Sequence, residues 1–100
     1  MKYLILACTL LLVVACANPK KTQIVEVSCG QCQFGLTSQE GCDLAVRIED
    51  NAYFVDGADI DDFGDAHDKE SGFCEVIRKG EVEGEVVNNR FKVSALKMLD

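Results

Sequence analysis

The chain has 100 residues, and 17 acidic against 10 basic side chains give it a formal charge of −7 at neutral pH. A surface of this sign repels phosphate backbones and anionic lipid headgroups, so we expect no nucleic acid partner; proteins and small neutral or cationic ligands remain candidates. The length allows one small domain, whose core leaves little stability in reserve.

The N-terminus has the pattern of a bacterial export signal. Residues 1–15 carry one lysine, at position 2, which is followed by an uncharged and mostly apolar run that is too short to cross a bilayer. The sequence Val-Val-Ala-Cys at residues 13–16 resembles the lipobox, in which the cysteine is acylated and becomes the new N-terminus. We therefore predict a signal peptide over 1–15, a lipidated Cys16 with a short tether over 16–21, and a single small β domain over 22–100. A plain signal peptide cut near Ala17 is the alternative.

This N-terminus predicts a location in the bacterial cell envelope, either facing the periplasm or on the cell surface. Two acyl chains anchor a protein stably without a membrane-spanning helix. We therefore expect the protein to contact the membrane through its lipid anchor alone.

Three segments after the tether have the pattern of β-strands. Residues 22–28 are rich in β-branched side chains, and residues 44–48 alternate between apolar and polar character. A third apolar segment, residues 52–55, ends at an Asp-Gly pair that favours a turn. Between the first two strands, residues 32–42, CQFGLTSQEGC, contain two glycines with Thr, Ser and Gln between them and are predicted to be a loop.

A helix and a hairpin are predicted for the C-terminal part. Residues 73–80, FCEVIRKG, place apolar side chains at helical spacing and end with two basic residues and a glycine, which are helix stop signals. Residues 81–87 and 90–99 flank Asn88-Asn89, and both asparagines tolerate the positive φ of a two-residue hairpin turn.

The order β-β-β-α-β-β predicts a mainly β fold with one helix. It matches the small five-stranded OB-like barrel, in which a helix lies between the third and fourth strands. Glycines at positions 80 and 84 suit the sharply bent strands of such a barrel. A small open β-sandwich and a meander with one helix have similar patterns and remain alternatives.

Six pieces of the sequence occur in order between residues 27 and 99: CGQCQFG, CDLAVRI, YFVDG, IDD-x-GDAH, GFC-xx-IRK and G-x-V-xxx-RF. Together they resemble an uncharacterised family of short exported bacterial proteins, known as a domain of unknown function. The resemblance implies a bacterial envelope protein and carries no activity that could be transferred. One departure is Phe63, where we expect a polar residue, often histidine.

Four cysteines lie in the predicted domain: Cys29, Cys32, Cys42 and Cys74. An even number of thiols in a small exported domain favours paired disulfides. The sequence allows three pairings, and we favour Cys29–Cys74 with Cys32–Cys42. The first bridge would join the end of the first strand to the helix, and the second would close the glycine-containing loop.

Two other roles for these thiols fit the sequence less well. A thioredoxin-type dithiol opens a helix and faces a cis-proline, but the residues after Cys32 make a poor helix start, and the single proline, Pro19, lies in the tether. Zinc ribbons usually carry two tight cysteine pairs, whereas this chain has one tight pair and two separate cysteines. Thiolate zinc sites are also unusual in an oxidising compartment.

The acidic segment 56–70 is the other candidate for chemistry. Four of its carboxylates fit positions 1, 3, 7 and 12 of an EF-hand frame, and a histidine could add an imidazole ligand. A true EF-hand is not expected, because Phe63 stands where an oxygen ligand belongs and a strand precedes the loop. A looser divalent-cation site remains a hypothesis beside the simpler interpretation of a hydrated loop. Its candidate ligands are Asp59, Asp61, Asp65, His67 and Glu70.

These observations predict a non-enzymatic lipoprotein domain of the bacterial envelope. We expect a disulfide-stapled binding or structural module with no catalytic residues and no required cofactor. The alternative is a divalent-metal-dependent or thiol-redox protein that uses the acidic loop 59–70 or the Cys29/Cys32 pair.

Overall fold

The computed structural model describes residues 21–99. Its five strands are β1 (Thr22–Cys29), β2 (Leu44–Ile48), β3 (Asn51–Asp56), β4 (Arg78–Val87) and β5 (Arg90–Leu99). A single-turn helix, α1 (Gly30–Gln33), follows β1, and a 3₁₀ helix (Ile60–Phe63) lies between β3 and β4.

The five strands form a closed barrel in the order β1-β2-β3-β5-β4. Neighbouring strands are antiparallel except β3 and β5, which pair in parallel at Val55–Phe91. The barrel closes where β4 pairs with β1, from Thr22–Glu83 to Val27–Arg78. Closure gives each of the five strands within residues 21–99 two neighbours, so none of them is an edge strand. The predicted mainly β fold and small OB-like barrel are confirmed.

Alternation along β1 decides which of its side chains enter the core. Val25, Val27 and Cys29 are all buried, and the last two have no exposed surface. Val27 lies opposite Val46 of β2, which is also fully buried. Cys29 is therefore the last of the inward-facing residues of β1, and its side chain belongs to the hydrophobic core.

The hairpin of β4 and β5 has the predicted two-residue turn. Asn88 and Asn89 have φ values of 52° and 63°, and the residues on either side of them, Val87 and Arg90, form the last strand pair. A register shift at Glu83/Gly84 bends the hairpin, as expected for a small barrel.

The helix predicted over residues 73–80 is wrong. Residues 73–75 form a turn, and β4 already begins at Arg78. The reason lies in β1: the backbone N–H of Cys29 donates to the carbonyl of Phe73 at 3.1 Å, and Ser28 Oγ lies 2.7 Å from the same oxygen. In a helix starting at Phe73, that carbonyl would have to accept a hydrogen bond from the backbone N–H four residues later. Arg78 also cannot be helical, because it pairs with Val27 where β4 closes the barrel against β1.

The 3₁₀ helix takes the place of the predicted helix between β3 and β4. Its first residue, Ile60, is buried in the hydrophobic core. Its last residue, Phe63, packs edge-on against Phe73, with ring centroids 6.1 Å apart and ring planes at 73°. The aromatic side chain at position 63 thus holds the acidic segment against the turn that carries Cys74.

Candidate metal centre

Four cysteine thiols from three separate segments meet at one place. The Sγ atoms of Cys29, Cys32, Cys42 and Cys74 all lie within 4.8 Å of one another. Cys29 ends β1 and Cys32 lies in α1, while Cys42 precedes β2 and Cys74 lies in the turn before β4. Within residues 21–99 this is the one group of three or more Cys, His, Asp or Glu side chains arranged closely enough to share a metal ion.

Helix α1 places the first two thiols side by side. Cys29 is its N-cap, with φ −74° and ψ 124°, and its Sγ accepts a hydrogen bond from the backbone N–H of Cys32 at 3.4 Å. A loop was predicted here, so the single helical turn corrects that expectation. The turn packs closely because Gly30 has no side chain: a Cβ there would lie 2.6 Å from Cε1 of Phe54.

Backbone hydrogen bonds tie the other two cysteine segments to the end of β1. The N–H of Gly30 donates to the carbonyl of Asp43 at 2.8 Å, next to Cys42. The N–H of Cys74 donates to the carbonyl of Ala66 at 2.9 Å, and the N–H of Cys29 to the carbonyl of Phe73 at 3.1 Å. Each cysteine is therefore held through its own or a neighbouring peptide group.

Gln31 joins α1 to the segment that follows Cys42. Its Oε1 accepts the backbone N–H of Asp43 at 2.8 Å, and its Nε2 donates to Asp43 Oδ2 at 2.8 Å and to the carbonyl of Gln39 at 3.3 Å. The same Oε1 lies 3.6 Å from Cys29 Sγ. This amide side chain fixes where Cys42 lies relative to Cys29.

Gln33, on the other side of Cys32, makes the corresponding link to the third segment. Its Nε2 donates to the carbonyl of Cys74 at 2.9 Å. Neither Gln31 nor Gln33 was among the site residues predicted from the sequence. The signal that could have pointed to them is the QCQ triplet, in which two glutamines flank a cysteine in an otherwise apolar and small-residue setting.

Asp43 extends the hydrogen-bond network away from the thiols. Hydrogen bonds donated by Gln39 and by Gln31 lower the pKa of its carboxyl group. Arg90 donates in turn to Gln39 Oε1 at 3.0 Å and forms an ion pair with Asp56. The loop that carries Cys42 is therefore fastened to the start of β5 as well as to α1.

The thiols differ in burial and in proton affinity. Cys29 has no exposed surface and Cys32 is exposed, while Cys42 and Cys74 are half-buried. Burial raises the pKa of Cys29, but hydrogen bonds from Cys42 and Cys32 outweigh it and lower that pKa. Hydrogen bonding to Cys29, together with burial, raises the pKa of Cys32 to about 11. Burial and then the bond to Cys29 raise the pKa of Cys42.

All four cysteines are free thiols in the structure. The closest pair is Cys29 and Cys42, whose Sγ atoms are 2.8 Å apart. The shortest contact therefore favours a different pairing from the predicted Cys29–Cys74 with Cys32–Cys42. Disulfide bonds remain a prediction for the oxidised protein.

The structure does not gather the acidic-loop ligands in the way it gathers the thiols. Asp59 and Asp62 form a reciprocal capping box at the 3₁₀ helix, and Asp65 Oδ1 accepts the backbone N–H of His67 at 2.9 Å. These carboxylates are exposed and serve local turns. Among the described residues, no three of the five predicted ligands come within reach of one ion, and these ligands are Asp59, Asp61, Asp65, His67 and Glu70.

The predicted signal peptide and the predicted lipidation site Cys16 lie outside the described residues. None of the helices within residues 21–99 has the length and apolar character that a membrane span requires.

Comparison with known proteins identifies a family and nothing closer. The model of DUF6370, described as a family of unknown function, matches residues 23–99, which is nearly all of the described chain. No curated protein and no solved structure matches the chain. The expected membership of an uncharacterised domain family is confirmed.

Proposed function

We propose that this chain, which belongs to the DUF6370 family, is a non-enzymatic zinc-binding module whose ion is held by Cys29, Cys32, Cys42 and Cys74. The observation that carries the proposal is the mutual approach of four Sγ atoms to within 4.8 Å. The four thiols come from three separate segments of a small barrel. Chance contact between cysteines would not require three segments to converge at one point.

The distances suit a tetrahedral ion. Four sulfurs bound at about 2.3 Å from zinc in a tetrahedron are about 3.8 Å from one another. The observed limit of 4.8 Å brackets this value, and the Cys29–Cys42 contact of 2.8 Å has to widen by about 1 Å. Rotation about the Cys42 side chain, which is half-buried in a loop, can supply that movement.

The donor set suits zinc and does not suit calcium or magnesium. Four thiolates in a tetrahedral arrangement suit Zn²⁺ or iron, whereas calcium and magnesium require oxygen ligands. The backbone N–H of Cys32 aimed at Cys29 Sγ also offsets part of the negative charge that four thiolates bring together.

Four protein ligands leave no open position for a substrate, which is the arrangement of structural rather than catalytic zinc. The ion would join the end of β1, the loop before β2 and the turn before β4. A domain of about 80 residues has a small core, so such a link contributes a large share of its stability. We therefore assign the ion a structural role that fixes the loops on this side of the barrel.

The N-terminal sequence supports a proposal for the location of the protein. We propose that the module is held at the bacterial cell envelope by lipid on Cys16, with residues 16–21 as the tether. Mass spectrometry of the protein from its membrane fraction tests this: a chain beginning at Cys16 with acyl groups supports the anchor, and a non-acylated chain beginning after residue 16 contradicts it. Cys16→Ser should release the protein from the membrane.

The metal proposal is tested by native mass spectrometry of the purified chain, reduced, stripped with a chelator and then given zinc. We expect one zinc ion per chain and a higher melting temperature with zinc. Serine at any of the four positions, Cys29, Cys32, Cys42 or Cys74, should weaken binding by at least about 100-fold, more than the loss of an outer hydrogen-bond partner costs.

His67→Ala is the matched control, because His67 is the one histidine of the chain and belongs to the alternative acidic site. Zinc binding that survives this change and fails in the cysteine variants places the ion at the thiols. The reverse pattern moves it to the acidic loop and contradicts the proposal.

A thiol-redox function of the Cys29/Cys32 pair is the second candidate, and α1 supports it. The pair opens a helical turn with Cys29 as N-cap, and the pKa of Cys29 is lowered because the hydrogen bonds from Cys42 and Cys32 outweigh the effect of burial. The burial pattern opposes it, because the low-pKa thiol has no exposed surface and the exposed thiol has the raised pKa. Reduction of an added protein disulfide at a catalytic rate by the metal-free chain would favour this candidate.

A further inference from the structure

We propose that the four-thiol centre is a redox switch: oxidation forms the disulfides Cys29–Cys42 and Cys32–Cys74 and releases the zinc ion. The metal-bound state rests on the function proposed above, whereas the disulfide pairing stands on geometry alone. The oxidant is a two-electron oxidant of the hydrogen peroxide class.

The pairing follows from the shortest contact. Cys29 and Cys42 have their Sγ atoms 2.8 Å apart, so they reach the 2.05 Å of a disulfide with the smallest displacement. The two remaining thiols, Cys32 and Cys74, are within 4.8 Å of each other and are left as partners.

This pairing also preserves the connections between segments. Cys29–Cys42 joins the end of β1 to the loop before β2, and Cys32–Cys74 joins α1 to the turn before β4. A Cys29–Cys32 bridge would link two residues of the same segment. Cys42 and Cys74 would then pair with each other, and no disulfide would join their two loops to β1 or α1. The pairing of Cys29 with Cys42 therefore ties both loops to β1 and α1, as the ion does.

Access decides where oxidation begins. Cys32 is exposed, whereas Cys29 has no exposed surface. A small oxidant therefore meets the Cys32 sulfur first. Its thiolate attacks one peroxide oxygen, the O–O bond breaks, and the second oxygen leaves as water after taking up a proton. The Cys74 thiolate then attacks the oxidised Cys32 sulfur, forms the S–S bond, and displaces the remaining oxygen as a second water.

The second equivalent of peroxide oxidises Cys29 and Cys42 in the same way. In all, the zinc tetrathiolate, two molecules of hydrogen peroxide and four protons give free Zn²⁺, two disulfides and four molecules of water. Formation of each disulfide from two thiolates releases two electrons, and each peroxide accepts two. Thiolates that become disulfide sulfurs no longer bind zinc, so the ion is released.

The experiment titrates the zinc-loaded chain with hydrogen peroxide and follows free zinc with a chromophoric zinc indicator. We expect release of one ion to be complete at about two equivalents of peroxide. A non-reducing digest analysed by mass spectrometry should contain peptides linked Cys29–Cys42 and Cys32–Cys74. Reduction by dithiothreitol should restore the zinc site.

Two variants sharpen the result. Compared as metal-free chains, because Cys32→Ser also weakens zinc binding, Cys32→Ser should react with peroxide more slowly than the parent and leave Cys29–Cys42 as the single disulfide. His67→Ala should behave as the parent chain with and without zinc. A Cys29–Cys32 bridge, sulfinic acids without disulfides, or zinc that stays bound after two equivalents overturns the proposal.

The failure of this inference can be told apart from that of the zinc proposal. If the reduced chain binds no zinc, the zinc proposal fails, and peroxide oxidation of the same metal-free chain still decides the disulfide pairing. If zinc binds and the linked peptides differ, the proposed switch fails and the zinc site stands.

Discussion

Gln33 Nε2 donates a hydrogen bond to the main-chain carbonyl of Cys74 at 2.9 Å, across 41 residues of sequence. This bond orients the segment that carries the most distant thiol. Gln33→Ala should therefore lower zinc affinity by about 10-fold while leaving the fold intact, as removal of an outer hydrogen-bond partner of a metal ligand does. Competition with a chromophoric chelator measures the change.

Gln23→Ala is the matched control for this change, because Gln23 lies on β1 six residues before Cys29 and pairs with Val82 of β4. Equal zinc affinity of the Gln33 and Gln23 variants would mean that the amide does not position Cys74.

Gln31 offers a test in which a single atom changes. Gln31→Glu keeps the oxygen that accepts the Asp43 N–H but replaces the Nε2 that donates to Asp43 Oδ2. Two carboxylates would then face each other where a 2.8 Å hydrogen bond now lies, so the loop carrying Cys42 should move away. We expect weaker zinc binding than in the parent chain at neutral pH. Acid weakens thiolate binding of zinc in every chain, but the deficit of Gln31→Glu relative to the parent at the same pH should shrink as the new carboxyl group is protonated. The Gln31→Ala variant lacks that group, so its deficit relative to the parent should not shrink in this way.

The barrel could be predicted because its signals are local. The β-branched run of β1, the two-residue period of β2 and the Asn88-Asn89 turn each act within a few neighbouring residues, and the structure keeps all three. The helix over 73–80 failed for the opposite reason. Its apolar spacing is genuine, but the Phe73 carbonyl is used by Cys29 and Arg78 by barrel closure, and both partners lie more than 40 residues away in sequence.

The sequence predicts the cysteines of the candidate site but not how they come together. The four cysteines are evident from the sequence, but spacing could not show that Cys74 and Cys42 arrive at α1, since two long loops bring them there. The hydrogen-bond partners Gln31 and Gln33 were not identified, because a glutamine on a predicted loop has no distinctive pattern. The helix start at Gly30 was also missed, because its N-cap is a thiol rather than a hydroxyl or carboxylate.

The stability of the reduced, metal-free chain should fall at alkaline pH. The pKa of Cys32 is raised from 9.0 to about 11 by its hydrogen bond to Cys29 and by burial, and the pKa of Cys42 is also raised. Between these values the folded chain keeps protons that the unfolded chain has lost, so the stabilisation is complete below pH 9 and is lost as the pH rises towards 11. Urea midpoints measured with a reductant and a chelator at several pH values test this.

Two comparisons isolate the thiols from lysine and tyrosine, which titrate in the same range. The double variant Cys32→Ser/Cys42→Ser should show a smaller fall in urea midpoint, and so should the zinc-loaded parent, whose thiolates have already lost their protons. An equal fall in all three samples would assign the alkaline change to other groups.

Gly30→Ala tests whether α1 must lie as close to the barrel as it does. The added Cβ would be 2.6 Å from Cε1 of Phe54 and 3.0 Å from Cβ of Ala45. Alanine gains about 1 kcal/mol over glycine in a helix, but overpacking costs about 1–3 kcal/mol, so we expect net destabilisation. Zinc affinity should fall with it, because Gly30 lies between two of the thiols and its N–H bonds the segment after Cys42.

Phe54→Leu separates the steric effect from any effect on the helix itself. Leucine lacks the ring carbon that the new methyl group meets, so the Gly30→Ala/Phe54→Leu double variant should be more stable than the sum of the two single losses predicts. Chemical denaturation of the four chains in the double-mutant cycle measures this coupling. Strictly additive losses would place α1 farther from β3 than the structure has it, and the thiols of Cys29 and Cys32 would then lose the support that brings them towards Cys42 and Cys74.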